Sequence, residues 1–233
     1  MRDAVGLLTT FGRRGGRLSA GAFAWFPVVG AALGGLVGGC WWLADRFWAR
    51  PVAAAVVVLT DLVITGMLHV DGLADSADGL LPHATRDRRL VIMRTPDVGA
   101  FGVAAVAVAL VLCTTALASR PPSVLLIIAL WASARALVAS VPAMMTYARD
   151  AGIASPMLDG APRWPVLTVP VAIAVAAVGA QIAGASAVVL GVAGGIGVLV
   201  LAQRRLGGFT GDVLVAAIVV TETVGLVVAA GRW

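Results

Sequence analysis

The stretch that decides how this chain folds reads DGLADSADG, from Asp71 to Gly79, and it follows an apolar run long enough to cross a bilayer. Its three carboxylates stand at positions i, i+4 and i+7. Because residues of an α-helix advance by about 100° each, Asp71, Asp75 and Asp78 would share one narrow helix face. Like charges on one face repel each other, so a cation is expected against them. Mg²⁺ takes oxygen ligands and often completes its coordination with substrate phosphates. We predict that these three acids hold Mg²⁺; the alternative is an acidic, solvated turn beside the membrane.

The composition is typical of an integral membrane protein. Of the 233 residues, 60% are hydrophobic, the mean hydropathy is +0.98, and runs of bilayer length recur from end to end. Arginines that flank these runs explain the formal net charge of +5, and the sequence shows no basic soluble face of the kind that binds nucleic acid. We expect a single integral membrane catalytic domain over residues 1–233, in contact with membrane lipid and with no nucleic-acid partner; a homo-oligomer is left open.

The hydrophobic runs predict an all-α fold, a polytopic membrane helix bundle of about seven transmembrane helices with a long cytoplasmic loop. The fifth and sixth spans divide one uncharged stretch, from Trp164 to Gln203, that is too long for a single crossing. We expect the break in the small-residue cluster between Gly179 and Gly184. The predicted spans are residues 24–43, 51–70, 99–119, 124–146, 165–183, 187–203 and 213–231.

The distribution of arginine sets the expected orientation. With the N-terminus inside the cell, the inner segments hold Arg2, Arg13, Arg14, Arg17, Arg86, Arg88, Arg89, Arg94, Arg149, Arg163, Arg204 and Arg205, and the outer ones only Arg46, Arg50, Arg120 and Arg232. This asymmetry follows the positive-inside rule. We therefore predict a multi-pass protein of the cell (inner) membrane whose long loop, Asp71 to Pro96, faces the cytoplasm.

The long loop also carries candidate phosphate-binding arginines. Arg86, Arg89 and Arg94 follow the acidic stretch, and a guanidinium group matches phosphate oxygens in bidentate geometry. Ordinary topology and contact with anionic lipid are the alternative explanation. The same segment, with Leu90 and Met93, could form an amphipathic helix along the membrane surface.

A second polar cluster lies where the last span begins. The sequence Gly207-Gly208-Phe209-Thr210-Gly211-Asp212 could direct backbone N–H groups at an anion, although Asp212 could equally be a helix N-cap. Arg149 lies in a third cluster, from Tyr147 to Gly152, at the end of the fourth span. The substrate-binding candidates here are Gly207, Gly208, Thr210, Gly211, Asp212 and Arg149.

Three charged residues fall inside predicted spans, where an unpaired charge is costly. They are Asp61, Arg135 and Glu222. Asp61 and Arg135 stand at similar distances from the inner ends of their spans, so we predict that they form an intramembrane ion pair. The competing interpretation is that Arg135 reaches the catalytic face and binds substrate.

Together these elements resemble the cobalamin synthase family, adenosylcobinamide-GDP ribazoletransferase. The most specific match is T-G-x-x-H-x-D-G-x-A-D-x-x-D-G, from Thr65 to Gly79, and the loop arginines, Arg135, the Tyr147 cluster and the Gly207 cluster follow in the family's order. Two segments depart from the family pattern: Thr95-Pro96-Asp97 replaces its usual Asp-Ser-Arg, and Thr9 to Arg14 lacks its early Thr-Arg-x-Pro-x-Pro element.

The resemblance implies a Mg²⁺-dependent membrane enzyme that performs the last joining step of vitamin B12 assembly. A ribose hydroxyl of α-ribazole, or of its 5′-phosphate, would attack the cobinamide-linked phosphoryl group of adenosylcobinamide-GDP, and GMP would leave. His69, or one of the three carboxylates, is the candidate general base; a helix-end histidine bonded to backbone is the alternative for His69.

Two other functions fit parts of the pattern. A CDP-alcohol phosphotransferase also uses an acidic motif that opens with Asp-Gly, but its later positions do not align with this chain. A cation transporter could use the charged residues in the spans as a path, but most polar residues lie at one face and paired broken helices are not evident.

Overall fold

The computed structural model describes residues 1–10, 20–149 and 160–231, and the regular secondary structure in these ranges is helical. No strand occurs in them; one isolated parallel bridge joins Tyr147 to Phe209. The helices are α1 (Arg2–Leu8), α2 (Phe26–Phe47), α3 (Arg50–Thr65), α4 (Leu68–Leu80), α5 (Arg86–Ile92), α6 (Ala100–Ala118), α7 (Val124–Ser140), α8 (Val169–Leu206) and α9 (Gly211–Ala229), with 3₁₀ turns at Ala20–Trp25, Val141–Ala143 and Trp164–Thr168.

Five helical segments of the described chain are long and apolar enough to cross a membrane, and we treat them as the membrane-spanning segments. Their bounds are Ala20–Phe47, Ala100–Ala118, Val124–Ala143, Trp164–Leu206 and Gly211–Ala229. They confirm the all-helical membrane fold. The bent pair α3 and α4 would raise the number to six, so the count of seven spans, like the cytoplasmic side of the loop, stays a prediction.

The second predicted span, residues 51–70, is wrong at its inner end. Helix α3 stops at Thr65 because Gly66 (φ 62°) and Met67 (φ 59°) both adopt left-handed backbone. The N-terminal arm also packs here, where Thr10 N donates to Ile64 O at 3.0 Å. Helix α4 then departs at 88°. The acidic stretch therefore lies on a separate helix and not in a loop.

The break predicted in the long uncharged stretch is confirmed. Within α8, Ala180 and Gln181 leave helical backbone geometry. A Cβ on Gly184 would meet Ala176 O at 2.1 Å, whereas residues eight apart in one straight helix lie about 12 Å from each other. The chain therefore folds back at this point, and α8 consists of two arms.

Small residues in the first span bring it close to α7. A Cβ on Gly30 would lie 2.6 Å from Trp131 O, and one on Gly34 would lie 2.7 Å from Ile127 O. The two helices therefore cross with backbones in near contact. Helices α7, α8 and α9 continue this packed core, and α4 lies against α6 and α9.

Candidate active site

The three acids of α4 differ in burial and in hydrogen-bond partners. Asp71 is exposed, Asp75 is half-buried and Asp78 is buried. Both oxygens of Asp78 are occupied, because Gly99 N donates to Oδ2 at 2.7 Å and Gly102 N donates to Oδ1 at 2.9 Å. This carboxylate satisfies free N–H groups in the first turn of α6, a favourable place for negative charge. Its geometry in the structure is that of a helix cap.

A fourth acid, from another helix, joins Asp71 and Asp75. Asp212 lies in the first turn of α9, whose N-cap Thr210 accepts a hydrogen bond from Val213 N at 3.3 Å. Arg149 Nη2 donates to Asp212 Oδ2 at 2.7 Å and to Met93 O at 3.2 Å. The ion pair of Arg149 with Asp212 therefore joins the segment after α7 to the start of α9, beside the acids of α4.

The electrostatics of Asp75 show how close these groups are. Helix α4 is outside the five membrane-spanning segments. Burial raises the pKa of Asp75 to about 6, the neighbouring carboxylates of Asp212 and Asp71 add to the rise, and Arg149 opposes it. Among the residues that the structure describes, one arginine does not compensate these three carboxylates, so this face favours an additional cation.

Within the described ranges, no three His, Cys, Asp or Glu side chains converge closely enough to form a complete metal site. Mg²⁺ does not require one, since it is commonly held by one or two carboxylates together with water and substrate phosphates. Asp71 and Asp75, one helical turn apart, fit that partial role, whereas Asp78 is engaged with α6.

Two of the predicted phosphate-binding arginines donate hydrogen bonds to backbone carbonyls of the protein. Arg89 is buried and its Nη1 donates to the carbonyls of Gly79 and Leu80 at 2.7 and 2.8 Å, at the end of α4. Arg86 donates through Nε to Leu206 O at 2.8 Å and through Nη2 to Ala148 O at 2.9 Å. Arg86 thus fixes the segment that carries Arg149. The third arginine, Arg94, is exposed.

The glycine-rich turn also has a structural explanation. Gly207 (φ 72°) ends α8 in left-handed backbone. A Cβ on Gly208 would meet Thr146 O at 2.1 Å, because Phe209 N donates to that same carbonyl in the bridge beside Tyr147. A Cβ on Gly211 would meet no atom of the described residues within 4 Å. The turn therefore places Thr210 and Asp212, and the N–H groups of Gly207 and Phe209 are engaged with backbone carbonyls.

The predicted pairing of Asp61 with Arg135 is wrong. Arg135 Nη1 forms its ion pair with Glu222, on α9, while Asp61 Oδ1 accepts a hydrogen bond from Trp131 Nε1 at 3.0 Å. Trp131 lies one helical turn before Arg135 on α7. Asp61 is therefore near the predicted depth in the bundle, but it contacts Trp131 and not Arg135. Arg135 is fully buried, and its assignment to substrate binding stays a prediction.

His69 lies in the interior as well. Its side chain is only 3% exposed and lines a cavity of about 60 Å³ together with Asp61, Trp131 and Glu222. Asp71, two residues further along α4, is exposed at the surface. The structure thus separates His69 from the acids that it was expected to serve.

The sequence analysis named the Tyr147 and Gly207 clusters but did not predict that they contact each other. Tyr147 and Phe209 stack edge to face at 5.4 Å and bring Arg149 and Asp212 together, which two short aromatic-containing motifs do not signal on their own. Asp212 was proposed only as a substrate ligand or N-cap. Asp150 and Gly152 of the third cluster, and the arm with Arg13, Arg14 and Arg17, lie outside the described residues.

Comparison with known proteins identifies relatives over most of the chain. Residues 1–230 match the family model of cobalamin-5-phosphate synthase. A Bradyrhizobium diazoefficiens protein named adenosylcobinamide-GDP ribazoletransferase is 39% identical over 217 residues, which are 88% of this chain and 82% of the relative. The Escherichia coli protein of that name is 35% identical over 211 residues, 86% and 84% of the two chains. One from Thermosynechococcus vestitus is 50% identical over 103 residues, 43% and 41%. No solved structure matches.

Proposed function

Since this chain belongs to the cobalamin-5-phosphate synthase family and is a transferase of cobalamin synthesis, we propose that it joins adenosylcobinamide-GDP to α-ribazole, or to its 5′-phosphate, with release of GMP. The products are adenosylcobalamin, or its 5′-phosphate, and GMP. The observation that carries the proposal is the grouping of Asp71, Asp75 and Asp212 with Arg149 at one face of the bundle.

Phosphoryl transfer depends on positioning and on neutralising charge more than on covalent chemistry by the protein. Arg149 supplies fixed positive charge, because its contacts with Asp212 and Met93 O hold the guanidinium in place. A substrate phosphoryl oxygen beside Arg149 would be drawn to this charge.

We propose that Asp71 and Asp75 hold Mg²⁺ together with the donor's diphosphate. Burial is the largest cause of the raised pKa of Asp75, and the neighbouring carboxylates of Asp212 and Asp71 add to it against the opposing charge of Arg149; this added negative charge supports a cation here. When bound, Mg²⁺ would neutralise the diphosphate oxygens and favour departure of GMP. Asp212 remains paired with Arg149 whether or not Mg²⁺ is bound.

The acceptor hydroxyl must lose a proton as its bond to phosphorus forms. The base must lie within hydrogen-bond reach of that hydroxyl, a condition that buried His69 does not meet in this structure. Asp71 and Asp75 border the accessible face. We therefore transfer the proposed role of base from His69 to this pair of carboxylates.

The test is GMP release by purified protein in liposomes. With adenosylcobinamide-GDP, α-ribazole and Mg²⁺ present, we expect GMP and the joined corrinoid in equal amounts, and neither product without α-ribazole. GMP formed without α-ribazole would indicate a hydrolase, and its absence under all conditions would refute the proposal. Isotope uptake by the same liposomes tests the transporter alternative, which the pairing of Arg135 with Glu222 disfavours.

A further inference from the structure

An apolar cavity opens directly beside the proposed active site. It has a volume of about 290 Å³, close to the lower end of the range for small-molecule sites, about 300–1,000 Å³. Its polar wall consists of Asp71, Arg149 and Asp212. The body of the cavity is lined by Leu8, Phe23, Phe26, Val138, Leu214 and Ile218, all of them buried.

The position of this cavity limits what can occupy it. Asp71, Arg149 and Asp212 belong to both the cavity and the site, so an occupant lies next to the reacting phosphoryl group. Its other walls offer hydrocarbon and aromatic rings. A polar group placed there would lose hydrogen bonds to water without replacement, at a cost of roughly 1–3 kcal/mol each. The occupant is therefore an apolar part of a substrate.

The proposed substrates offer four large groups. The corrin macrocycle of the donor is too large for the volume, and its adenine and guanine both carry hydrogen-bond donors and acceptors that these walls cannot satisfy. The base of α-ribazole is a flat benzimidazole with two methyl groups and, once joined to ribose, no N–H donor. We propose that this cavity binds the dimethylbenzimidazole base of the acceptor, an assignment that rests on the proposed function.

The arrangement of rings in the cavity fits a flat aromatic guest. Phe23 and Phe26 lie 4.9 Å apart between ring centroids and are tilted by 48°, and Tyr147 borders the same space. Aromatic rings prefer offset or edge-to-face contacts at such separations. With the base held there, the attached ribose extends towards Asp71 and Arg149, where its hydroxyl is needed.

Substitution of Leu68 tests the proposal without changing a buried residue. This residue lines the cavity and is 41% exposed, while Leu81, at the other end of α4, is 47% exposed and does not line it. Leu68→Trp should raise the KM for α-ribazole by roughly tenfold or more and leave the KM for adenosylcobinamide-GDP within about twofold. The matched control Leu81→Trp should change neither KM.

A substrate analogue tests the same assignment without any variant. The benzimidazole nucleoside that lacks both methyl groups should have a KM at least about tenfold above that of α-ribazole with the unchanged protein, because the methyl groups fill apolar space. Equal KM values for the two nucleosides would overturn the assignment. In Leu68→Trp, a rise in the donor KM alone would place guanine in the cavity. Unchanged KM values with loss of a co-purified lipid would place an acyl chain there. Either result overturns it too.

Failure of the inference is separable from failure of the proposed function. Equilibrium dialysis of α-ribazole against the unchanged protein and Leu68→Trp requires no turnover. Weaker binding to the variant supports the cavity assignment even if no GMP forms, and equal binding overturns the assignment even if GMP release proceeds as proposed.

Discussion

The ion pair of Arg135 and Glu222 offers the sharpest test of the membrane core. Arg135 is 0% and Glu222 5% exposed, and they join α7 to α9 near the middle of the bundle. Glu222→Leu leaves the guanidinium without its carboxylate, and Arg135→Leu leaves the carboxylate without its guanidinium. Removing one partner of a buried pair typically costs about 3–5 kcal/mol. Because both side chains are almost fully desolvated, we expect each single variant to lose that much.

The double variant Arg135→Leu/Glu222→Leu should recover much of the loss, since two apolar side chains then replace two charges. Its coupling free energy should exceed about 2 kcal/mol, near the upper end for contacting residues. A second cycle with Asp61→Leu and Arg135→Leu should give a smaller coupling, because Asp61 is bonded to Trp131 instead.

The assay is reversible unfolding in mixed detergent micelles, with the free energy of unfolding measured for each single and double variant. Equal coupling in the two cycles, or a larger value for Asp61, would refute the pairing seen in the structure. Additive losses for Arg135 and Glu222 would show that their charges do not stabilise each other.

Asp78→Asn should lower the melting temperature, since weakened hydrogen bonds to the first turn of α6 cost about 1–3 kcal/mol, while kcat of the folded protein is retained. Mg²⁺ binding measured by calorimetry should weaken as the pH falls through about 6, because protons compete for Asp75 and a ligand must be deprotonated; affinity independent of pH would exclude that ligand. Gly208→Ala should destabilise by more than about 1 kcal/mol, because its methyl group meets a carbonyl, whereas the methyl group of Gly39→Ala meets no atom of the described residues within 4 Å and should not; equal melting temperatures would contradict the close approach. Arg88→Cys, exposed on α5, in a background without native cysteines, should react with an impermeant thiol reagent only after cells are opened; labelling of intact cells would reverse the topology.

The helical membrane fold could be predicted from the sequence because its signals are local. Hydrophobic runs of bilayer length located the five spanning segments, and a small-residue cluster located the break at Ala180 and Gln181. The end of α3 was misplaced, since left-handed backbone at Gly66 and Met67 interrupts a run whose hydropathy continues. Hydropathy reports the preference of residues for apolar surroundings and carries no information on the direction of the chain.

The site was predicted in part, because residue type and spacing do not identify partners. Helical periodicity put Asp71, Asp75 and Asp78 on one face. It could not show that backbone N–H groups at the N-terminus of α6 donate hydrogen bonds to Asp78. The contribution of Asp212 depends on packing between α4 and α9. Position along the spans predicted that Asp61 lies at the depth of Trp131 and Arg135 on α7. It could not predict which of the two residues Asp61 contacts.

The most direct test of the proposed active site is GMP release after a single change on α4. Asp71→Asn keeps the size of an exposed side chain and removes its charge, and we expect turnover at saturating Mg²⁺ to fall by roughly 10²–10³-fold with an unchanged melting temperature. Asp87→Asn is the matched control, an exposed carboxylate on α5, and should keep near-normal turnover. Equal rates for the two variants would contradict the claim that Asp71 belongs to the catalytic face.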